Sequence, residues 1–255
     1  VRFTRGAAFL QQKTVAQHLY LREGDRRRAG GSRSSALAAA LEALEESARY
    51  DQQPRAFNTN KNRSFNLDES DLVALSAVRR GKVPLVVQVD RAADIIKVVT
   101  AFGSYPALRL VLASATEAWK VAPLLKADNI PVLINVMENL PQNFDRLGAR
   151  LDQATLLAEA GVRFAFFSGS PYSETRSLSQ AAGIAVAQGL SWQQAITAIT
   201  AAPAEIWGLK GLGRIEVGAI ADLVIWNGDP LEVTSAPVAV LIDGARVDLE
   251  TRQDA

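Results

Sequence analysis

Five short apolar segments alternate with helical patterns over the first 200 residues of the chain. Each segment is rich in Val, Ile, Leu and Phe and lacks the polar alternation of a half-exposed strand, which is typical of parallel strands buried on both faces. Parallel strands need a long crossover, usually a helix, so this alternation predicts a parallel α/β fold. The predicted strands lie within residues 14–21, 83–89, 108–112, 130–136 and 162–167.

Apolar residues at spacings of three and four predict the helices between these strands. Leu37, Leu41 and Leu44 mark the first helix, for which Ser34 or Ser35 is the expected N-cap. We expect Asp68 to cap the next helix and Gly103 to end the third. The polar stretch 51–66 predicts a long loop. Further helices are predicted around residues 121–125, 156–160, 174–188 and 192–200.

The pattern changes after residue 210. Residues 221–226 and 238–242 have the composition of short strands, and Asp243-Gly244 is typical of a hairpin turn before a third strand at 245–249. We therefore predict two domains, a larger one over residues 1–210 and a small β module over residues 211–255.

Composition excludes several functional classes. The formal net charge is +1, which gives no electrostatic basis for binding nucleic acid or an anionic membrane. The absence of cysteine excludes disulfides and thiolate nucleophiles, and no apolar run approaches the ~20 residues that span a bilayer. The only methionine is Met137, so we expect that the natural N-terminus lies upstream, where a leader could also lie. We expect a soluble protein, either cytoplasmic or periplasmic.

The C-terminal segments carry a recognisable signature. Residues 201–209 (AAPAEIWGL), 213–226 (GRIEVGAIADLVIW) and 227–231 (NGDPL) resemble the C-terminal signature of the amidohydrolase superfamily, whose members are metal-dependent hydrolases. Residues 84–95, 109–119 and 161–171 resemble the fifth, sixth and eighth barrel strands of its imidazolonepropionase-like members, and residues 17–23 resemble the fourth.

The resemblance implies a fold and a chemistry. The fold is an α/β, partial TIM-type (β/α)8 barrel of about strands 4–8, followed by C-terminal β-sandwich strands. In the family, histidines on strands one, five and six and an Asp after strand eight hold one or two divalent ions, typically Zn; some members add a carboxylated Lys on strand four. The ion activates water and polarises the scissile carbonyl of a C–N bond.

This chain departs from that ligand pattern because it contains one histidine, His18. Where relatives carry His-x-His-Arg-Ala on strand five, it has Gln88-Val-Asp90-Arg91-Ala92, and the histidine of strand six falls at about Ser114. The lysine position falls near His18, and the Asp after strand eight falls at Gly169 or Ser170. The barrel-mouth candidates are His18, Gln88, Asp90, Ser114 and Ser170.

Each candidate has a structural alternative. His18 and Asp90 could still ligate a metal, but His18 equally suits a hydrogen-bonded interior position, and Asp90 could pair with Arg91 or Arg109. Gln88 and Asp90 share one face of their strand and suit either binding or polar filling. Ser114 lies where a strand meets a helix start, and no histidine is placed to activate it.

Two functions remain open. The first is a metal-dependent hydrolase of amide C–N bonds in a small-molecule or peptide-like substrate, impaired in this chain because its ligands are missing. The second is a non-catalytic binding or partner subunit of an active amidohydrolase. We expect a partner in either case, because a barrel without its first strands leaves strand edges unpaired. That partner is a second copy or a chain that supplies the N-terminal strands.

Overall fold

The computed structural model describes residues 14–25, 31–54, 65–168 and 177–249. Their backbone divides into two compact units. The first comprises the residues up to 121 together with 143–146, and the second comprises 122–142 and the residues from 147 onwards. The predicted division near residue 210 stays a prediction. Within the described residues, no helix combines the length and the apolar character that crossing a membrane would require.

The first unit is built on three parallel strands, β1 (Gln17–Tyr20), β2 (Leu85–Val89) and β3 (Leu110–Ser114). Tyr20 pairs with Gln88, and Gln88 pairs with Ala113. The apolar side chains of β2 are all buried, and only Gln88 is partly exposed. Burial on both faces is the environment that the unbroken apolar run predicted for β2. The same prediction was wrong for β1, where Gln17 and His18 are exposed, because β1 is the edge strand of the described sheet.

Among the described residues, the connections between these strands include the helices α1 (Arg33–Gln52), α2 (Glu69–Arg79) and α3 (Ala92–Phe102). The N-cap of α1 is Ser32, whose hydroxyl accepts a bond from the Ser35 N–H, so the predicted caps at Ser34 and Ser35 were wrong. Ser35 is instead the third helical residue, which donates to the cap. The predicted positions of Asp68 before α2 and of Gly103 after α3 are confirmed.

The predicted loop over residues 51–66 was wrong at its start. Residues 51 and 52 continue α1, because the carboxylate of Asp51 binds the Ser76 hydroxyl and the Arg79 guanidinium on α2. These contacts give a polar residue an interhelical partner that composition alone does not reveal.

The second unit contains two parallel strands, β4 (Val132–Ile134) and β5 (Phe164–Phe166), with every residue buried. Four of its helices correspond to the remaining predicted patterns, although residues 174–176 of one pattern lie outside the described residues. The helix Ala201–Trp207 was not predicted. A capping box at Ser191 and Gln194 starts the helix Trp192–Ile199. The helices are α4 (Ala122–Ala127), α5 (Gln153–Glu159), α6 (Leu178–Ala187), α7 (Trp192–Ile199) and α8 (Ala201–Trp207).

An antiparallel sheet forms the C-terminal part of the second unit. It contains β6 (Leu223–Trp226), β7 (Pro237–Ile242) and β8 (Ala245–Val247). Asp243 and Gly244 join β7 to β8 with φ values of 53° and 78°. Two consecutive positive φ angles are the requirement of the predicted hairpin turn, which is therefore confirmed.

Candidate functional site

A tight turn at the end of β3 shapes the candidate site. Ser114 and Ala115 have φ values of 64° and 44°. The N–H of Ala115 donates to the carbonyl of Ala113 at 2.9 Å and to that of Val89 at 2.8 Å. A bond between residues two apart around a left-handed centre is a strained γ-turn. The turn ends the strand abruptly and directs Thr116 towards the end of β2.

Asp90, the first residue after β2, meets Thr116 there. The Thr116 hydroxyl donates to Asp90 Oδ1 at 2.7 Å, and the Thr116 N–H lies 3.4 Å from the same oxygen. Asp90 is 3% exposed. Its second oxygen, Oδ2, is buried and has no hydrogen-bond donor in the part of the chain that the structure describes, and Arg146 Nε lies 3.8 Å from it.

Burial raises the pKa of the Asp90 carboxyl. The hydrogen bond from Thr116 and the positive charges of Arg146 and Arg22 act in the opposite direction without reversing the shift. The protein therefore holds this carboxyl in an environment that disfavours its charge, which polar side chains compensate only in part.

Glu117, which follows β3, connects the end of that strand to residues just after β2. Its Oε2 accepts the N–H of Ala92 at 2.9 Å, and its own N–H donates to the Asp90 carbonyl at 2.9 Å. Lys120 Nζ lies 2.6 Å from its Oε1. Burial alone would raise the pKa of Glu117, but the bonds from Lys120 and Ala92 outweigh it, and the pKa is lowered.

A second buried carboxylate, Asp145, holds the turn that carries Arg146. Arg33 Nη1 contacts Asp145 Oδ1 at 2.5 Å, and Arg91 Nε contacts the same oxygen at 3.1 Å. The N–H of Glu23 donates to Asp145 Oδ2 at 2.6 Å. Residues following β1 and β2 thus anchor the 3-10 turn Phe144–Arg146, which places Arg146 beside Asp90.

These contacts surround a cavity of about 440 Å³, which we call the strand-end cavity. Its wall combines two guanidinium groups, three carboxylates and one aromatic ring, so it carries charges of both signs. The lining residues are Arg22, Glu23, Gly24, Asp90, Asn143, Phe144, Asp145 and Arg146.

Of the predicted candidates that the structure describes, only Asp90 lines this cavity. His18 is exposed on β1, where its ring stacks 6.2 Å from that of Tyr20 and partial desolvation lowers its pKa. Gln88 is partly exposed on β2. Ser114 is buried within the strained turn. Ser170 and Gly169 lie outside the described residues.

Sequence reasoning missed Arg146 and Thr116 as partners of Asp90, and it missed Asp145 as the anchor of the turn that carries Arg146. Arg91, which we considered as a partner, pairs with Asp145 instead. Thr116 carried a signal, since it follows a predicted strand end adjacent to that of Asp90. Asp145 and Arg146 carried none, because they lie in a polar stretch far along the chain.

The residues of this cavity do not fit the divalent ion that the resemblance implies. Asp90 Oδ1 already accepts from Thr116, and Oδ2 faces the cation of Arg146. Across the described residues, no three His, Cys, Asp or Glu side chains are grouped so that they could hold a metal.

Comparisons with known proteins match the C-terminal part of this chain to one family. Residues 157–248 match the model of the amidohydrolase family. Amidohydrolase tasK of Hapsidospora irregularis is 36% identical over 90 residues, which are 35% of this chain and 9% of that protein. This chain therefore spans only a small part of the curated relative.

Solved structures match over a longer range. An amidohydrolase from Thermotoga maritima MSB8 has a TM-score of 0.83 at 22% identity, and the match covers 94% of this chain and 64% of that one. A prolidase solved with N-methylphosphonate-L-proline has a TM-score of 0.54 at 21% identity, covering 71% of this chain and 49% of its own. The predicted fold, α/β with part of a TIM-type (β/α)8 barrel, is confirmed.

Proposed function

We propose that this chain, which is amidohydrolase-like in its fold and over residues 157–248, is impaired as a metal-dependent hydrolase of C–N bonds and uses its strand-end cavity to bind a small molecule. One observation carries the proposal. Where relatives resembling this chain place histidines on the fifth barrel strand, it has Gln88 and a buried Asp90 that faces Arg146.

The opposite charges of Asp90 and Arg146 argue against binding of a catalytic divalent ion. At an effective dielectric constant of 20, two unit charges 4 Å apart interact by about 4 kcal/mol, so a divalent ion would gain about 8 kcal/mol from Asp90. The repulsion between that ion and a guanidinium at a similar distance would cancel about the same amount of energy. The pair therefore offers a divalent ion no net attraction to offset its loss of hydration.

The loss of that ion removes the main source of catalysis in the superfamily. A bound ion lowers the pKa of water and stabilises the charge that develops on the substrate. The cavity instead presents a fixed carboxylate and guanidinium groups, which bind and orient polar molecules. These groups support the second hypothesis from the sequence, namely a non-catalytic binding protein.

Metal content tests the proposal directly. Mass spectrometry on protein purified without a tag or a chelator should find no stoichiometric Zn, Mn or Fe. Amide and dipeptide substrates should not be hydrolysed above background with added Zn²⁺. The double variant Gln88→His with Asp90→His, which restores the family pattern on strand five, serves as the matched comparison and should retain more zinc.

A different result would overturn the proposal. Stoichiometric zinc in the wild type, lost in Asp90→Ala and kept in Asp152→Asn, would show that Asp90 belongs to a working metal centre. Asp152 is a suitable control because it is partly exposed and paired with Arg150. Zinc-dependent turnover of an amide by the wild type would equally mean that hydrolysis is intact.

A further inference from the structure

A residue that lines the strand-end cavity carries a hydrogen-bond acceptor for which the described residues provide no donor. Asp90 is 3% exposed, and its Oδ2 has no hydrogen-bond donor among the described residues. Arg146 Nε, at 3.8 Å, lies beyond hydrogen-bond distance. Buried polar groups in folded proteins nearly always have a partner, so an orphaned oxygen on a cavity wall indicates where a ligand atom binds.

Thr116 fixes the direction of this oxygen. Its hydroxyl binds Oδ1 at 2.7 Å, which holds the carboxylate plane and leaves Oδ2 as the buried oxygen without a donor among the described residues. The strained turn at Ser114 and Ala115 positions Thr116, so the acceptor is held by backbone geometry. A pre-oriented acceptor favours a ligand with a donor at a matching position.

The other charges of the wall define the second half of the ligand. The positive charges of Arg22 and Arg146 act on Asp90, and both residues line the cavity. A guanidinium has five N–H donors and binds carboxylates in a forked geometry. An occupant that offers a donor to Asp90 and a carboxylate to the guanidinium groups satisfies both signs of charge at once.

We infer that the cavity binds a small carboxylic acid that carries an N–H or O–H donor on the carbon next to the carboxyl group, as α-amino and α-hydroxy acids do. The donor binds Asp90 Oδ2 and the carboxylate binds the guanidinium groups of Arg22 and Arg146. The cavity volume of about 440 Å³ is within the usual range for small-molecule sites. This inference rests on the proposed function, since a catalytic metal would need the same carboxylate.

Calorimetric titration of the full chain tests the inference with three probes of similar size. L-alanine and L-lactate carry the donor as an ammonium and a hydroxyl, respectively, whereas propionate has the carboxylate alone. We expect at least one donor-bearing acid to bind 10-fold or more tightly than propionate. Whichever of L-alanine and L-lactate binds more tightly shows whether the site prefers an ammonium or a hydroxyl donor.

Two variants connect the selectivity to Asp90. Asp90→Asn should reduce the preference for the tighter acid over propionate to threefold or less, because an amide nitrogen at the Oδ2 position cannot accept the donor. Arg146→Gln should weaken all three acids. Asp152→Asn, which changes a residue that does not line the cavity, should change nothing. If Asp90→Asn fails to fold by circular dichroism, Thr116→Val replaces it and should also lower the preference by releasing the carboxylate.

The outcomes separate the two proposals. Equal affinity for all three acids, or no heat with any of them in metal-free, folded protein, would overturn the inference and leave the impaired-hydrolase proposal standing. A preference for the donor that persists in Asp90→Asn would also overturn it. Stoichiometric zinc bound through Asp90 would overturn the proposed function itself.

Discussion

Strands β2 and β6 are similar in composition and opposite in environment. Both are short runs of Val, Leu and Ile with one exception each, Gln88 in β2 and Trp226 in β6. Val87 and Val89 of β2 are completely buried, whereas Val224 and Ile225 of β6 are 49% and 52% exposed. An apolar run therefore predicts a strand but not the extent of its burial.

The difference arises from the neighbours of each strand. Parallel strands are linked by helices that cover the sheet, so a run such as that of β2 is buried on both faces. Consecutive residues of a strand point to opposite faces. Since Val224 and Ile225 are both half exposed, neither face of β6 is fully covered by the described part of the chain. The predictions below test this contrast, from the largest expected effect to the smallest.

Matched isoleucines in the second unit measure the contrast directly. Ile134 in β4 is fully buried, and Ile225 in β6 is 52% exposed. Ile134→Ala should lower the free energy of unfolding by about 2–5 kcal/mol, because it removes packed atoms and leaves a cavity. Ile225→Ala should cost less than about 1 kcal/mol. Urea denaturation gives both values, and equal losses would mean that β6 is buried in solution.

The segment after β6 should be more sensitive than β6 itself. A Cβ added to Gly183 of α6 would lie 2.4 Å from the carbonyl oxygen of Leu231, and Leu231 is buried. Gly183→Ala should therefore cost about 1–3 kcal/mol through overpacking.

Gly24→Ala is the control for this substitution, because a Cβ there meets no atom within 4 Å. It should leave the thermal midpoint nearly unchanged. A Gly183→Ala protein as stable as the wild type would mean that Leu231 does not pack closely on α6.

The bonds of Glu117 to Ala92 and Lys120, at the ends of β2 and β3, should make a smaller, pH-dependent contribution to the free energy of unfolding. Glu117→Gln should lower the free energy of unfolding by about 1 kcal/mol at pH 7 because it weakens charge-assisted bonds to Lys120 and Ala92. The pKa of Glu117 is lowered in the folded state. Its contribution is therefore present above the unfolded pKa, near 4.3, and is lost as pH falls through the folded pKa.

Unfolding curves at pH 7 and pH 3 check this prediction. The gap between wild type and Glu117→Gln should close at the lower pH, whereas Glu159→Gln, at an exposed position on α5, should show little gap at either pH. A gap that widens on acidification would contradict the assigned role of the carboxylate.

The smallest effect is expected at Asp229, which follows β6. Its carboxylate accepts the Leu231 N–H at 2.9 Å and the Trp192 Nε1–H at 3.0 Å, and these bonds lower its pKa. Asp229→Asn should slightly reduce the thermal midpoint at neutral pH, and the reduction should fade as pH falls through the folded pKa. Asp128→Asn at an exposed position is the control, and a midpoint loss independent of pH would contradict this role.

Much of the local structure could be predicted from the sequence. The buried strands β2, β4 and β5, most of the helices and the hairpin at Asp243-Gly244 follow from patterns over a few neighbouring residues, whereas the predicted burial of β1 was wrong. The placement of Gln88 and Asp90 at a strand end followed in the same way. Local dihedral preferences and hydrophobic periodicity are properties of short segments, which is why these predictions succeeded.

The chemistry of the site depended on tertiary structure. Gln88-Val-Asp90 contains no histidine, whereas the resemblance implies two at this position. Only the fold showed that Thr116 holds one oxygen of Asp90, that Asp145 anchors the turn beside it, and that Arg146 faces the other oxygen. Ion pairs between distant segments depend on how loops return to the strand ends, and the energy of each contact depends on burial that no local pattern records.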